Sequence, residues 1–217
     1  MQVSDKGDAR QRLIDAALRT FGEHGFGGAS TRAIARQAGA NIAAIPYYFG
    51  SKEGLYRAVA THIADRITGR IGPVFAAASD RAGALSPDEA REALMRIADH
   101  FIAMMVGADE GALWARIIVR EQFDPTEAFD ILYERVMGPY YAALGDLLAV
   151  IFREPAESDR VKLRVFALIG QALIFRIAGA AIDRRMGWDG YTPERLDQVR
   201  AVVREHLAAV IGEGSAP

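Results

Sequence analysis

The stretch AGANIAAIPYYFGSKEGLY, residues 38–56, decides how the chain is read. A glycine turn comes first, then Asn41 ahead of a small apolar run. Pro46 falls where that run should continue as a helix, and Tyr47, Tyr48 and Phe49 follow at once. Gly50, Ser51 and Lys52 close the segment. The needs of folding explain this combination poorly. A surface held rigidly against a partner explains it better.

Working outward, DARQRLIDAALRTFGEHG (8–25) carries Leu13, Ala16, Ala17, Leu18 and Phe21 on one helical stripe, and Gly25 is its stop. Ser30 or Thr31 caps a short second helix, TRAIARQA, with Ile34 and Ala35 inward and Arg32 and Arg36 outward. Gly39 ends it. Asn41 caps a third helix running to Tyr47 or Tyr48, and Ser51 caps a fourth over residues 52–71. Two short helices joined by a glycine turn make a helix-turn-helix. In that motif the second helix enters the DNA major groove and turns its first residues to the base edges. A phenol at Tyr47 or Tyr48 suits a phosphate oxygen, and Phe49 is expected to plug the core under the fourth helix. Lys52 sits badly for the dipole of its own helix and better against a DNA backbone.

Beyond residue 70 the apolar spacing stays helical: 86–106, opened by Ser86-Pro87, then 110–123, 126–152 with a kink at Gly138-Pro139, 158–187 and 192–212. Strand periodicity is almost absent. The expected fold is all-α, with a helix-turn-helix domain over 1–54 and a helical ligand-binding and dimerisation body over 55–217. The clearest break in the chain falls near Gly69–Pro73.

Composition narrows the function. The 217 residues are 51% hydrophobic and include no cysteine, which excludes disulfides, thiolate metal sites and cysteine nucleophiles. The net charge of −2 is unevenly spread. Residues 1–70 hold ten Lys/Arg against six Asp/Glu, and the remainder sixteen against twenty-two. A basic N-terminal third on an acidic body implies a local anion-binding face. The N-terminus lacks the apolar core of a secretory signal, and the most apolar stretch (165–182) contains Gln171 and Arg176. A cytoplasmic protein is expected. His24, His62, His100 and His206 are scattered, with no metal-ligand spacing, phosphate loop or nucleophile elbow, so no cofactor, metal or enzymatic activity is expected.

Residues 10–60, through LIDAALRTFGEHGF, STRAIARQAGA and YYFGSKEGLYRAV, resemble the DNA-binding domain of the TetR/AcrR family of bacterial transcriptional repressors. With REQFDPTEAF further on, the chain is most similar to the branch with a CecR-type C-terminal domain. The resemblance implies that Thr31, Arg32, Tyr47 and Lys52 contact phosphate. It implies that Asn41, Ile42, Ala43 and Ala44 face the bases, with hydrogen-bond readout resting on Asn41 and methyl contacts on its neighbours. Pro46 stands where the family pattern usually has tyrosine. The implied mechanism is repression by steric block, relieved when a small molecule changes the spacing of two recognition helices.

Isolated polar groups in the apolar body are candidates for a ligand cavity. On the helices before residue 125 these are His100, Met104 with Met105, Trp114, Arg116, Arg120 and Glu121; later ones are Tyr133, Tyr140, Gln171, Phe175 and Arg176. The same residues would serve equally as satisfied core or interface groups. The helix 158–187 is apolar nearly all round, with Gly170, Ala172, Ala178 and Gly179 allowing close approach. The last two helices are therefore the expected surface of a homodimer built as a four-helix bundle, which predicts a palindromic operator. The rival reading is a dimeric helical small-molecule-binding protein without sequence-specific DNA binding.

Overall fold

The computed structural model describes residues 3–79, 84–107 and 110–212, and every regular element among them is helical. The helices are α1 (Val3–Gly28), α2 (Thr31–Gln37), α3 (Ala44–Phe49), α4 (Lys52–Ser79), α5 (Pro87–Val106), α6 (Glu110–Phe123) and α7 (Glu127–Leu132). After a π-helical turn (Tyr133–Met137) come α8 (Gly138–Phe152), α9 (Asp159–Ile177), α10 (Gly179–Met186) and α11 (Pro193–Gly212).

Packing divides the chain into two compact units, Met1–Thr68 with Leu113–Val136, and Gly69–Ala112 with Met137–Pro217. This differs from a linear division at residue 54, because the segment from Leu113 to Val136 joins the N-terminal unit. The extreme ends of both expected domains, residues 1–2 and 213–217, lie outside the described residues.

In the first unit the stripe Leu13, Ala16, Ala17, Leu18 and Phe21 is buried as its spacing requires. Ile34 and Ala35 of α2, Ile45 of α3 and Leu55, Val59 and Ile63 of α4 complete the core. Gly25 breaks α1 (φ 73°, ψ 174°), although helix resumes to Gly28. Gly39 takes φ 60° in the turn after α2, a left-handed backbone that costs a side-chain-bearing residue about 1 kcal/mol or more.

In the second unit α5 packs on α8, α9 and α11, and α8 on α9. Leu94, Ile97, Ile102 and Val106 of α5 meet Leu144, Leu147, Leu148 and Ile151 of α8 and Val161, Val165 and Leu168 of α9. A fully buried Leu or Ile contributes roughly 2 kcal/mol. The start of α5 is fixed chemically. Ser86 Oγ accepts from the Glu89 N–H at 3.3 Å while the Glu89 carboxylate accepts from the Ser86 N–H at 2.8 Å. Pro87 follows at the first helical position, where its missing N–H costs nothing. Ser86→Ala is expected to lower stability by about 1 kcal/mol, read as a fall in Tm with an otherwise unchanged circular-dichroism spectrum.

Two long helices foreseen from the sequence are broken. Residues 126–152 contain α7, the π-helical turn and α8, because Pro139 has no N–H to continue the i→i−4 ladder and the helix widens just before it. Residues 158–187 are divided at Ala178 into α9 and α10, bent by 66°. Tyr191 donates its hydroxyl to the Phe175 carbonyl at 2.6 Å near that break, and Gly179 follows it directly. No single helix among the described residues is long and apolar enough to cross a membrane.

Candidate nucleic-acid interface

The recognition segment begins with a turn rather than a helix. Asn41 Oδ1 accepts from the Ala43 N–H at 2.9 Å, and its carbonyl accepts from the Ala44 N–H at 2.9 Å. Regular helix starts at Ala44, two residues later than a cap at Asn41 predicts. Pro46 is the cause. A helix begun at Asn41 would need a Pro46 N–H and would press the ring on the Ile42 carbonyl. As the third residue of α3, Pro46 sits where no intrahelical donor is required. The first i→i−4 bond after it runs from the Tyr47 N–H to the Ala43 carbonyl at 3.2 Å.

Asn41, Ile42 and Ala43 are exposed in this turn, Ala44 is half-buried, and Tyr47 is 70% exposed beside Tyr48, edge to face at 4.9 Å. Asn41 Oδ1 uses one acceptor position on its own turn and keeps a second. Thr31 is half-buried at the first position of α2, and Arg32 and Arg36 are exposed, with no ion pair among the described residues. Phe49 is half-buried, short of the full plug expected, with the Arg10 guanidinium 5.4 Å from its ring centre.

The head of α4 is built to close tolerance. Ser51 Oγ accepts from the Gly54 N–H at 3.1 Å, as expected of a cap. A Cβ on Gly54 would lie 1.9 Å from the Phe49 carbonyl oxygen, so the last peptide of α3 rests directly on the first turn of α4. Lys52 Nζ lies over the Phe26 ring, 4.6 Å from its centre, which holds the ammonium near the helix start.

Behind that turn is a network the sequence did not disclose. Tyr56, 4% exposed, donates its hydroxyl to Glu121 Oε1 at 2.8 Å. Glu121, 2% exposed, also accepts from the Thr126 N–H and hydroxyl, both at 2.9 Å. Burial first, then the Glu121 hydrogen bond, push the Tyr56 phenol well above its ordinary range, so it remains a donor at neutral pH. The Tyr56 ring meets Phe21 at 4.9 Å and Phe26 at 5.2 Å. Arg120 donates to the Phe21 carbonyl at 2.9 Å.

The residues expected at a ligand cavity fall in both units. Trp114 (buried), Arg116 (exposed), Arg120 and Tyr133 (exposed, stacked on Phe129 at 5.8 Å) belong to the first. His100, Met104, Tyr140, Gln171 and Phe175 belong to the second. His100 is exposed and bonds the Arg96 carbonyl of its own helix at 2.8 Å. Met104 and Phe175 are half-buried, and buried Gly111 lies against the Met104 carbonyl, 2.4 Å from where its Cβ would stand. Arg176 donates to the Ala112 carbonyl at 2.9 Å. Tyr140 is buried, stacked on Phe101 at 5.2 Å and edge-on to Phe75 at 4.7 Å, and burial raises its phenol far above the ordinary value. The apolar cavity beside it measures about 20 Å³, enough for a water and no more. Gln171 Oε1 is buried and finds no hydrogen-bond partner among the described residues. Those residues include no group of His, Asp or Glu able to hold a metal.

Comparison with known proteins agrees with this geometry. Residues 13–59 match the model for bacterial regulatory proteins of the tetR family, and residues 90–214 match that of the C-terminal domain of the HTH-type transcriptional dual regulator CecR. The chain is 39% identical over 209 residues to CecR of Shigella flexneri, covering 95% of this chain and 93% of that protein. It belongs to the TetR family of transcriptional regulators, with a CecR-type C-terminal domain. Solved structures share the fold. AibR, in complex with isovaleryl coenzyme A and operator DNA, has a TM-score of 0.66 at 17% identity, covering 91% of this chain and 97% of AibR. A transcriptional regulator from Rhodococcus sp. Rha1 has a TM-score of 0.63 at 17% identity, covering 93% and 96%. This TetR-family chain is a DNA-binding transcriptional regulator and not an enzyme. Its N-terminal match contains all eight DNA-facing candidates, and its C-terminal match contains all nine ligand candidates.

Proposed function

We propose that this regulator is a cytoplasmic homodimeric repressor that binds a palindromic operator and is released by a small molecule. The observation that carries the reading is the solvent-facing run Asn41, Ile42 and Ala43, followed by Tyr47 at 70% exposure. Ile42 and Tyr47 are large groups left in water, and a DNA groove would cover them. Asn41 has the donor and acceptor pair that reads adenine, and the Ile42, Ala43 and Ala44 methyls suit thymine. The Tyr47 hydroxyl, Thr31, Arg32 and Lys52 would meet phosphates and set the register.

For the ligand we favour the second unit, which holds Tyr140, Gln171 and Phe175 together with Met104 and His100. The Gln171 oxygen offers an acceptor to a donor on the ligand, and the aromatic surroundings favour an apolar body. Because the cavity there is small, ligand binding would have to open it, and would favour whichever state has the space. Trp114, Arg116, Arg120 and Tyr133 are left out of this site. Activation alongside repression is the second reading, favoured by the name dual regulator carried by the Shigella flexneri relative.

The test is selection of bound duplexes from a random pool by the purified protein. One palindrome is expected. Tyr47→Ala and Lys52→Ala should each weaken binding about tenfold, and Lys52→Ala should lower the salt-dependence slope by about one. No motif at low salt would overturn the reading in favour of a dimeric small-molecule binder. The position of the palindrome relative to the promoters it adjoins separates repression from activation.

A further inference from the structure

A buried carboxylate is a costly way to build a core. Glu121 has no cation bonded to it among the described hydrogen bonds and ion pairs; its partners are the Tyr56 hydroxyl and the N–H and hydroxyl of Thr126. Filling that space with apolar groups would often be as stable or more so. What the carboxylate supplies is direction, because its two oxygens fix where the donors must lie. The Thr126 hydroxyl donates to Glu121 and accepts from the Ala128 N–H at 3.1 Å as it caps α7. Tyr56 is the partner on α4, the helix that carries Lys52. A cleft of about 430 Å³ lined by Phe26, Ser51, Tyr56, Arg57, Thr126 and Glu127 adjoins this tyrosine, so the hydroxyl bond to Glu121 sets the ring's direction on the side that packing leaves open. The exposed Arg57–Glu127 ion pair at the same cleft contributes little by comparison.

We propose that Glu121 is a positioning residue for operator binding, holding Lys52 at the DNA-facing head of α4 through the Tyr56 and Phe26 rings. The path consists of three contacts. Glu121 fixes the Tyr56 hydroxyl at 2.8 Å, Tyr56 packs on Phe26 at 5.2 Å, and Phe26 carries the Lys52 ammonium 4.6 Å above its ring. Tyr56 lies one helical turn after Lys52, so the same latch also orients the first turn of α4 against the end of α3. The inference rests on the regulator reading above and adds to it a residue that touches no DNA.

The test uses the full-length protein and the operator it selects, comparing Tyr56→Phe, Lys52→Ala and the double variant. Tyr56→Phe should bind about five- to tenfold more weakly and lose about one unit of salt slope, matching Lys52→Ala. The double variant should bind no more weakly than either single one, because both remove the same contact. Glu121→Gln, which keeps the shape but has one acceptor oxygen, should shift binding in the same direction. Ile63→Val, in the same core and remote from the latch, should lower Tm while leaving operator affinity and slope unchanged. A purely structural role would give Tyr56→Phe an unaltered slope, or a double variant whose loss is the product of the two single losses; either result overturns the proposal. Failure of the wild type to select any operator would overturn the regulator reading, and the latch with it.

Discussion

Gly54→Ala is expected to abolish operator binding and to lower stability by about 3 kcal/mol, roughly 6–12 °C in Tm. Helix propensity predicts the opposite sign. Replacing a glycine inside α4 by alanine should gain about 1 kcal/mol. The clash decides the outcome: the new Cβ would lie 1.9 Å from the Phe49 carbonyl oxygen and 3.0 Å from its carbon, both backbone atoms that cannot rotate away. Relief requires moving the α3–α4 junction, which carries the recognition segment on one side and Lys52 on the other. Gly69→Ala is the matched control. It lies in the same helix with no atom within 4 Å of its would-be Cβ, so it should raise Tm slightly and leave operator affinity alone. Thermal melts together with operator titrations check both. Equal behaviour of the two variants would mean that the α3–α4 contact is loose.

How far such features could be read in advance depended on how local their causes were. The stripe from Leu13 to Phe21, the inward Ile34 and Ala35 and the Ser86 cap follow from spacing within one or two turns, and the structure has them where spacing put them. The start of α3 lies two residues after the one that a cap at Asn41 predicts, although its cause, Pro46, is in plain view. The Asn41 side chain satisfies a turn as readily as a helix cap, and only the proline excludes the helix. The tyrosine bonded to the Phe175 carbonyl beside the break at Ala178 approaches from beyond α10, and apolar periodicity carries no trace of it. The Tyr56–Glu121 bond joins residues 65 apart. REQFDPTEAF marked a family branch without revealing that Glu121 and Thr126 serve the helix-turn-helix unit. Polar residues in apolar helices announce a buried partner but do not say which one, and for that reason the ligand candidates scattered over both units.

Leu163→Glu with Ile174→Glu is expected to convert a dimer into a monomer and to weaken operator binding by at least a hundredfold. The argument rests on the two faces of α9. Val161, Val165, Leu168 and Ala172 are buried and recur at helical spacing, which defines the face packed into the second unit. Leu163, Phe166, Ile174 and Ile177 also recur at helical spacing, on the opposite face, and are 49–68% exposed. An amphipathic helix would carry charges there. Large apolar side chains in water on a face that the chain's own core does not use mark an association surface, and Val202 and Val210 on α11 extend the same character. A glutamate at each position would have to lose its hydration, unpaired, inside a two-fold interface that meets its own copy, so each substitution counts twice. The monomer would keep one half-site contact and lose the second, and with it the effective concentration that makes a linked pair bind as one. Light scattering after size exclusion reads the assembly, and operator titration reads the affinity. A dimer that survives both glutamates would move the interface off this face of α9.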